Sequence, residues 1–158
     1  MKNILDLIFP TKIAYAHCDI PCGIYDPHNA QMAAHTVLRM IGLIKELPDD
    51  SSKETIHKLT RYAAVKEEHA EIVKNDVRVI WGDYFKPEHL KDYPDLHETV
   101  FNIMKLASKA RQTIDLEAAR ELLTQVQKFS EIFYKSKSLT PVRIKSPYPT
   151  EGEIVSYR

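Results

Sequence analysis

The stretch that decides the fold is residues 115–133, which read DLEAARELLTQVQKFSEIF. Its apolar side chains recur three or four residues apart, the spacing of one face of an α-helix. The members of this stripe are Leu116, Ala119, Leu123, Val126, Phe129 and Phe133. Asp115 stands just before the stripe, where a short acceptor side chain can cap the first helical turn. We therefore predict an amphipathic helix that starts after Asp115 and buries one face.

Three segments upstream show the same helical spacing. The first follows Asp26-Pro27, a pair typical of a helix start. The second and longest follows residues 48–52, which form a break and a new helix cap, and the third begins near Asp95. Four amphipathic helices joined by short links bury their stripes most simply against each other. We expect an all-α protein, with an antiparallel up-and-down four-helix bundle at residues 26–136.

The composition limits the classes of function. Hydrophobic residues make up 44% of the chain, charged residues make up 28%, and the formal net charge is zero. Proteins that bind nucleic acids usually carry a basic excess, so we expect no nucleic-acid partner. No apolar run approaches the roughly 20 residues needed to cross a bilayer, so we expect no membrane partner.

The first sixteen residues, MKNILDLIFPTKIAYA, form a distinct N-terminal segment. The tripeptide AYA at 14–16 imitates a secretory cleavage site. However, the apolar stretch before it is interrupted by Asp6 and ended by Pro10, whereas a secretory signal needs a continuous apolar region of about 7–15 residues. A propeptide or a plain tail fits residues 1–16 better, and we expect a cytoplasmic protein.

The segment with the most evident chemistry is HCDIPCGIYDP, which begins at His17. It contains both cysteines of the chain, Cys18 and Cys22. Pro21 and Gly23 favour a turn that can bring the two sulfurs together. Thiolates combined with nitrogen donors suit copper, nickel or zinc, although three side chains fall short of a four-ligand structural zinc site. Taken alone, the cysteine spacing also allows a local disulfide or two inert thiols.

The whole segment closely resembles the nickel-binding hook of nickel superoxide dismutases, whose pattern is H-C-D-x-P-C-G-x-Y-D-P. A distant stretch at 79–87, VIWGDYFKP, resembles the family's W-x-D-Y-F-K-P sequence. Residues 93–97, YPDLH, resemble the Y-P-E-L-H that follows it. The resemblance covers about residues 17–137. Residues 137–158 have no counterpart that we can match, and we expect them to form an extended tail.

The resemblance implies a hook at residues 17–25 that holds one nickel ion per subunit. A processing peptidase would remove the propeptide at residues 1–16 and free the amine of His17. That amine, the backbone amide of Cys18 and the sulfurs of Cys18 and Cys22 would surround the metal in a square plane, with the imidazole of His17 as axial ligand. The implied reaction converts superoxide to dioxygen and hydrogen peroxide by cycling between Ni(II) and Ni(III), in a homohexamer.

The resemblance also implies roles for two tyrosines and reveals one departure. Tyr25 matches the hook tyrosine that guards access to the metal, and Tyr84 matches a second tyrosine near the site. Some family members support the axial histidine with a Glu and an Arg, where this chain has Ala33 and His69. We consider His69 a replacement support, against the alternative that it is an ordinary polar residue of the bundle.

The rival hypothesis from another class is a metal-delivery or redox-sensing protein that uses the Cys18/Cys22 pair without turnover. It predicts that cleavage after Ala16 is not needed. A di-iron bundle is a weaker rival, because it requires two Glu-x-x-His repeats and only residues 54–57, ETIH, provide one.

Overall fold

The computed structural model describes residues 22–158. In this part of the chain the secondary structure consists of α1 (His28–Lys45), α2 (Lys53–Val79), α3 (His89–Asp92), α4 (Leu96–Gln112), α5 (Leu116–Ser136), β1 (Pro141–Lys145) and β2 (Glu153–Tyr157). A π-helical turn, Ile80–Tyr84, continues α2. The four long helices confirm the predicted helical bundle.

Two of the helix starts use the caps that the sequence predicts. At the start of α2, the Ser52 Oγ accepts a hydrogen bond of 3.1 Å from the backbone N–H of Thr55. At the start of α5, the Asp115 Oδ1 accepts one of 3.0 Å from the N–H of Ala118. Each cap satisfies a backbone donor that has no partner within its own helix.

The core is built from all four long helices. In the bundle, α1 packs against α2 and α5, while α4 packs against α5 and α2, so neighbouring helices form a closed ring. Of the predicted α5 stripe, every member except the half-buried Leu116 is buried. The bulkiest fully buried side chains are Phe129, Phe133, Ile41, Leu96, Ile103 and Leu122.

The longest helix, α2, buries only a narrow face. Its buried residues are Thr55, Lys66, Ala70, Val73 and Val77. Lys66 is kept in this position by two hydrogen bonds of 2.9 Å, from its Nζ to the carbonyls of Arg111 and Thr113 at the end of α4. Burial lowers the pKa of the Lys66 ammonium. Among residues 22–158, no helix is both long and apolar enough to cross a membrane.

The segment after α5 forms an antiparallel hairpin. β1 and β2 pair from Pro141 opposite Tyr157 to Lys145 opposite Glu153. The middle of β2 is buried against α1 and α5 of the same chain. The sequence interpretation of residues 137–158 as an extended tail did not include this pairing, because two five-residue strands give only a short alternating pattern.

Candidate metal centre and its surroundings

Cys22 is the member of the predicted ligand set that the structure describes, since His17 and Cys18 lie outside the described residues. Its side chain is exposed, and its sulfur accepts a hydrogen bond of 3.4 Å from the N–H of Ile24. Gly23 between them has φ of +72°, a conformation that a residue with a side chain adopts only under strain. The turn therefore depends on glycine, and it presents a soft sulfur donor of the kind that nickel accepts.

The junction between hook and bundle is anchored by Asp26. Its Oδ1 accepts hydrogen bonds from the backbone N–H of His28 at 2.7 Å and from the hydroxyl of Tyr134 at 3.3 Å. The bond from His28 is the cap that the Asp26-Pro27 pair predicts, and helix α1 begins at His28, one residue later than that pair predicts. Burial and the Asp26 carboxylate raise the pKa of Tyr134, so this phenol keeps its proton and stays a donor.

The structure brings the two predicted tyrosines together. The ring centroids of Tyr25 and Tyr84 are 5.8 Å apart, with the ring planes tilted by 52°. The hydroxyl of Tyr84 lies 2.9 Å from the Ser136 Oγ, and that serine donates its own proton to the carbonyl of Phe133 at 2.7 Å. Tyr84 is therefore the donor to Ser136, which fixes the direction of its hydroxyl.

Tyr84 sits in a cluster that combines aromatic rings with positive charge. His89 stacks on it at 5.7 Å, and Phe133 contacts it at 4.9 Å. The Nζ of Lys137 lies 5.2 Å from the centroid of the Tyr84 ring, within the range of a cation–π contact. Sequence reasoning missed Ser136 and Lys137, because Ser136 ends the last helix, Lys137 follows it, and both reach the tyrosine only through the tertiary fold.

The stretch at 79–87 contains a π-helical turn and contacts the stretch at 93–97. The N–H of Phe85 donates to the carbonyl of Ile80 at 3.3 Å, a bond five residues long that closes the wider turn. The indole N–H of Trp81 donates to the Nδ1 of His97 at 2.9 Å. The two downstream stretches that resemble the family, 79–87 and 93–97, are thus in direct contact.

The residues at the departure from the family pattern are both in the bundle. Ala33 is buried in α1. His69 is half-buried in α2, and its Nδ1 donates to the carbonyl of Val65 at 2.9 Å, which leaves its Nε2 as an acceptor. A contact between His69 and His17 would involve a residue outside the described part of the chain. Lys86, beside the predicted site, is exposed.

The fold is a four-helix bundle with a cysteine-containing loop before its first helix, and the sequence predicts that this loop holds a metal. The family model for nickel-containing superoxide dismutases matches residues 12–137. The chain belongs to this family, and it is therefore an oxidoreductase with a nickel cofactor.

Known relatives agree with this assignment. The nickel superoxide dismutase of Streptomyces coelicolor is 34% identical over 135 residues, which is 85% of this chain and 98% of that protein. The nickel superoxide dismutase of Streptomyces seoulensis is 33% identical over 136 residues, which is again 85% of this chain and 98% of that protein. The native 1.30 Å structure of nickel superoxide dismutase is 36% identical, with a TM-score of 0.68, and covers 77% of this chain and 99% of that chain. These matches do not favour the metal-delivery or redox-sensing hypothesis.

Proposed function

We propose that this chain converts superoxide to dioxygen and hydrogen peroxide at a nickel hook formed by residues 17–25, once residues 1–16 have been removed before His17. The observation that carries the proposal is the segment HCDIPCGIYDP in a member of the nickel-containing superoxide dismutase family. Its second half joins α1 beside Tyr84, the other tyrosine of the family pattern.

The proposed ligands are the amine and imidazole of His17, the amide and sulfur of Cys18, and the sulfur of Cys22. Nickel, when bound, supplies one-electron chemistry between Ni(II) and Ni(III). Cleavage matters because it turns the nitrogen of His17 from an amide into an amine with an ordinary pKa near 8. Metal binding then depends on deprotonated ligands, so the uncut chain lacks a donor that the cut chain possesses.

The residues around the hook select and guide the substrate. Tyr25 and Tyr84 narrow the approach to the metal so that only a small anion can pass. The hydrogen bond from Tyr84 to Ser136 holds the Tyr84 ring in place. The ammonium of Lys137, together with the exposed Lys86, provides positive charge on this side of the bundle. Positive charge beside a site raises the local concentration of an anionic substrate such as superoxide.

We also propose that the mature protein is a cytoplasmic homohexamer in which neighbouring subunits cover the hooks. Two apolar side chains near the site support this assembly: Ile24 in the hook is 76% exposed, and Trp81 in the π-helical turn is 37% exposed. Contact with another subunit would remove this apolar surface from water. Light scattering on the nickel-loaded mature protein tests the assembly, and a monomer would contradict it.

The decisive experiment compares three proteins that differ only at the N-terminus: the full chain, a chain that starts at Ala16, and one that starts at His17. Nickel affinity and superoxide dismutase activity are measured for each. We expect nickel binding and activity only in the protein that starts at His17. The substitution Cys18→Ser or Cys22→Ser in that protein should abolish both properties. Equal activity in all three would refute the hook mechanism. Nickel binding without turnover in the protein that starts at His17 would favour the metal-delivery hypothesis instead.

A further inference from the structure

The C-terminal hairpin, residues 141–157, lies beyond the part of the chain that the family model matches, residues 12–137. We propose that this hairpin is a positioning element for the hook: β2, through Tyr157 and Tyr134, holds Asp26 at the point where the hook joins α1. That the hook binds nickel rests on the proposed function. The connection from Tyr157 through Tyr134 to Asp26 rests on contacts that the structure describes.

The first attachment of the hairpin is a pair of hydrogen bonds inside the core. The side-chain amide of Gln31 donates from Nε2 to the carbonyl of Val155 at 3.0 Å, and its Oε1 accepts from the N–H of Val155 at 2.7 Å. Both residues are 0% exposed. A glutamine on α1 thus takes the place of a neighbouring strand and satisfies both backbone groups of one β2 residue.

The second attachment is made by His35, one turn further along α1. A carbonyl can only accept, so the Nε2 of His35 donates to the carbonyl of Glu153 at 3.0 Å, and its Nδ1 accepts from the Thr150 hydroxyl at 2.7 Å. Gly152 allows this approach, since a Cβ there would lie 2.9 Å from the ring of His35. From α5, the Gln127 Nε2 also donates to the Glu153 carbonyl, at 2.7 Å. The hairpin therefore bridges α1 and α5.

The C-terminal end of β2 is connected to the hook junction through two tyrosines. The ring of Tyr157 packs on Tyr134, with centroids 5.0 Å apart. Tyr134 is buried and donates its hydroxyl to Asp26, the residue that also accepts from His28 and directly follows Tyr25 of the hook. The half-exposed Tyr157 thus covers the ring of Tyr134, whose hydroxyl binds Asp26 at the hook junction. Asp26 itself is exposed, and without the Tyr157 ring water also reaches the buried Tyr134 side chain and competes for its hydrogen bond.

The test measures amide hydrogen exchange in the metal-free full-length chain, so that it is independent of nickel. In Tyr157→Ala, we expect the peptide 25–31 to exchange about two- to tenfold faster, the change that corresponds to loss of one aromatic pair. Tyr157→Phe keeps the ring and should restore the wild-type rate. The peptide 96–112 in α4 serves as internal control and should not change.

A double-variant cycle tests whether the effect of Tyr157 reaches Asp26 through the hydroxyl of Tyr134. Tyr134→Phe keeps the ring but removes the hydroxyl, so it should raise exchange at 25–31 while leaving β2 protected. Adding Tyr157→Ala to Tyr134→Phe should raise exchange at 25–31 no further. The proposal is overturned if Tyr157→Ala leaves the peptide 25–31 unchanged. It is overturned equally if exchange rises to the same extent in α4, or if the effect persists in full without the Tyr134 hydroxyl.

A second measurement links the hairpin to the proposed function. In the protein that starts at His17, release of nickel to excess chelator should be accelerated by Tyr157→Ala but not by Tyr157→Phe. Faster exchange at 25–31 with unchanged nickel release would keep the positioning role and contradict the hook as the nickel site. Unchanged exchange would overturn the positioning role whatever the nickel result.

Discussion

Replacing Gln31 by leucine should release the C-terminal hairpin without unfolding the bundle. Leucine is close to glutamine in size and suits a buried helix position, so the packing of α1 is largely kept. The change leaves the N–H and the carbonyl of Val155 without the partner that satisfies both of them. Each buried backbone group left unsatisfied costs about 1–3 kcal/mol, so the two together cost about 2–6 kcal/mol.

A penalty of this size exceeds what a two-stranded hairpin can sustain by itself, because isolated hairpins are marginally stable at best. We therefore expect residues 141–157 to detach and return the Val155 groups to water. A penalty of 2 kcal/mol corresponds to about thirtyfold faster amide exchange, and this is the smallest increase that we expect in β2 of Gln31→Leu.

The assay is hydrogen exchange followed by mass spectrometry, with Gln125→Leu as the matched control. The Gln125 amide donates to Glu121 one turn away on the exposed side of α5, a pair worth only about 0.2–0.5 kcal/mol. The control should therefore change exchange in β2 by no more than about twofold. If Gln31→Leu affects β2 no more than Gln125→Leu does, the structural argument for the buried amide is wrong.

Three further predictions concern acid pH, the core and the support of the metal centre. Burial holds the pKa of His35 below its ordinary value of 6.5, so the unfolded chain takes up more protons as pH falls below about 6.5. The free energy of unfolding should then fall between pH 7.5 and pH 5, and denaturant titrations should find a smaller fall in His35→Gln. Phe129 is fully buried, and Phe129→Ala should cost about 3–5 kcal/mol, read as a lower denaturant midpoint with unchanged slope. If His69 supports the axial imidazole of His17, His69→Ala should lower activity of the mature nickel-loaded protein while circular dichroism keeps its helical signal. Unchanged turnover at several pH values would leave His69 as an ordinary residue of the bundle.

The helices could be predicted from the sequence because their determinants are local. The stripe of α5 repeats every three or four residues, and Ser52 and Asp115 cap the helices that they precede in sequence. The side chain of Asp26 caps the N–H of His28 as its position in the sequence predicts, although α1 begins at His28, one residue later than predicted. The apolar periodicity locates a helix but does not fix its first residue, since helix ends vary by one or two residues.

The site could be predicted only in part. The resemblance pointed to Tyr25 and Tyr84, which the fold does bring together, while their proposed roles stay predictions. The hairpin was missed because the residues that hold it are far away in sequence: Gln31 and Val155 are separated by 124 positions. In the sequence, Gln31 reads as one more polar residue on an amphipathic helix. Only the position of β2 reveals why a glutamine is buried there.

The bond between Gln31 and Val155 also has a consequence for the order of events during synthesis. Ribosomes add roughly 5–20 residues per second, so Val155 is made some 6–25 s after Gln31. During this interval Gln31 lacks its partner in β2, and Tyr134, once it has been made, has no Tyr157 to cover it until that residue follows. The junction at Asp26 is therefore completed by residues that are translated much later in the chain. A nascent chain released too early would have helices but an unfinished hook junction.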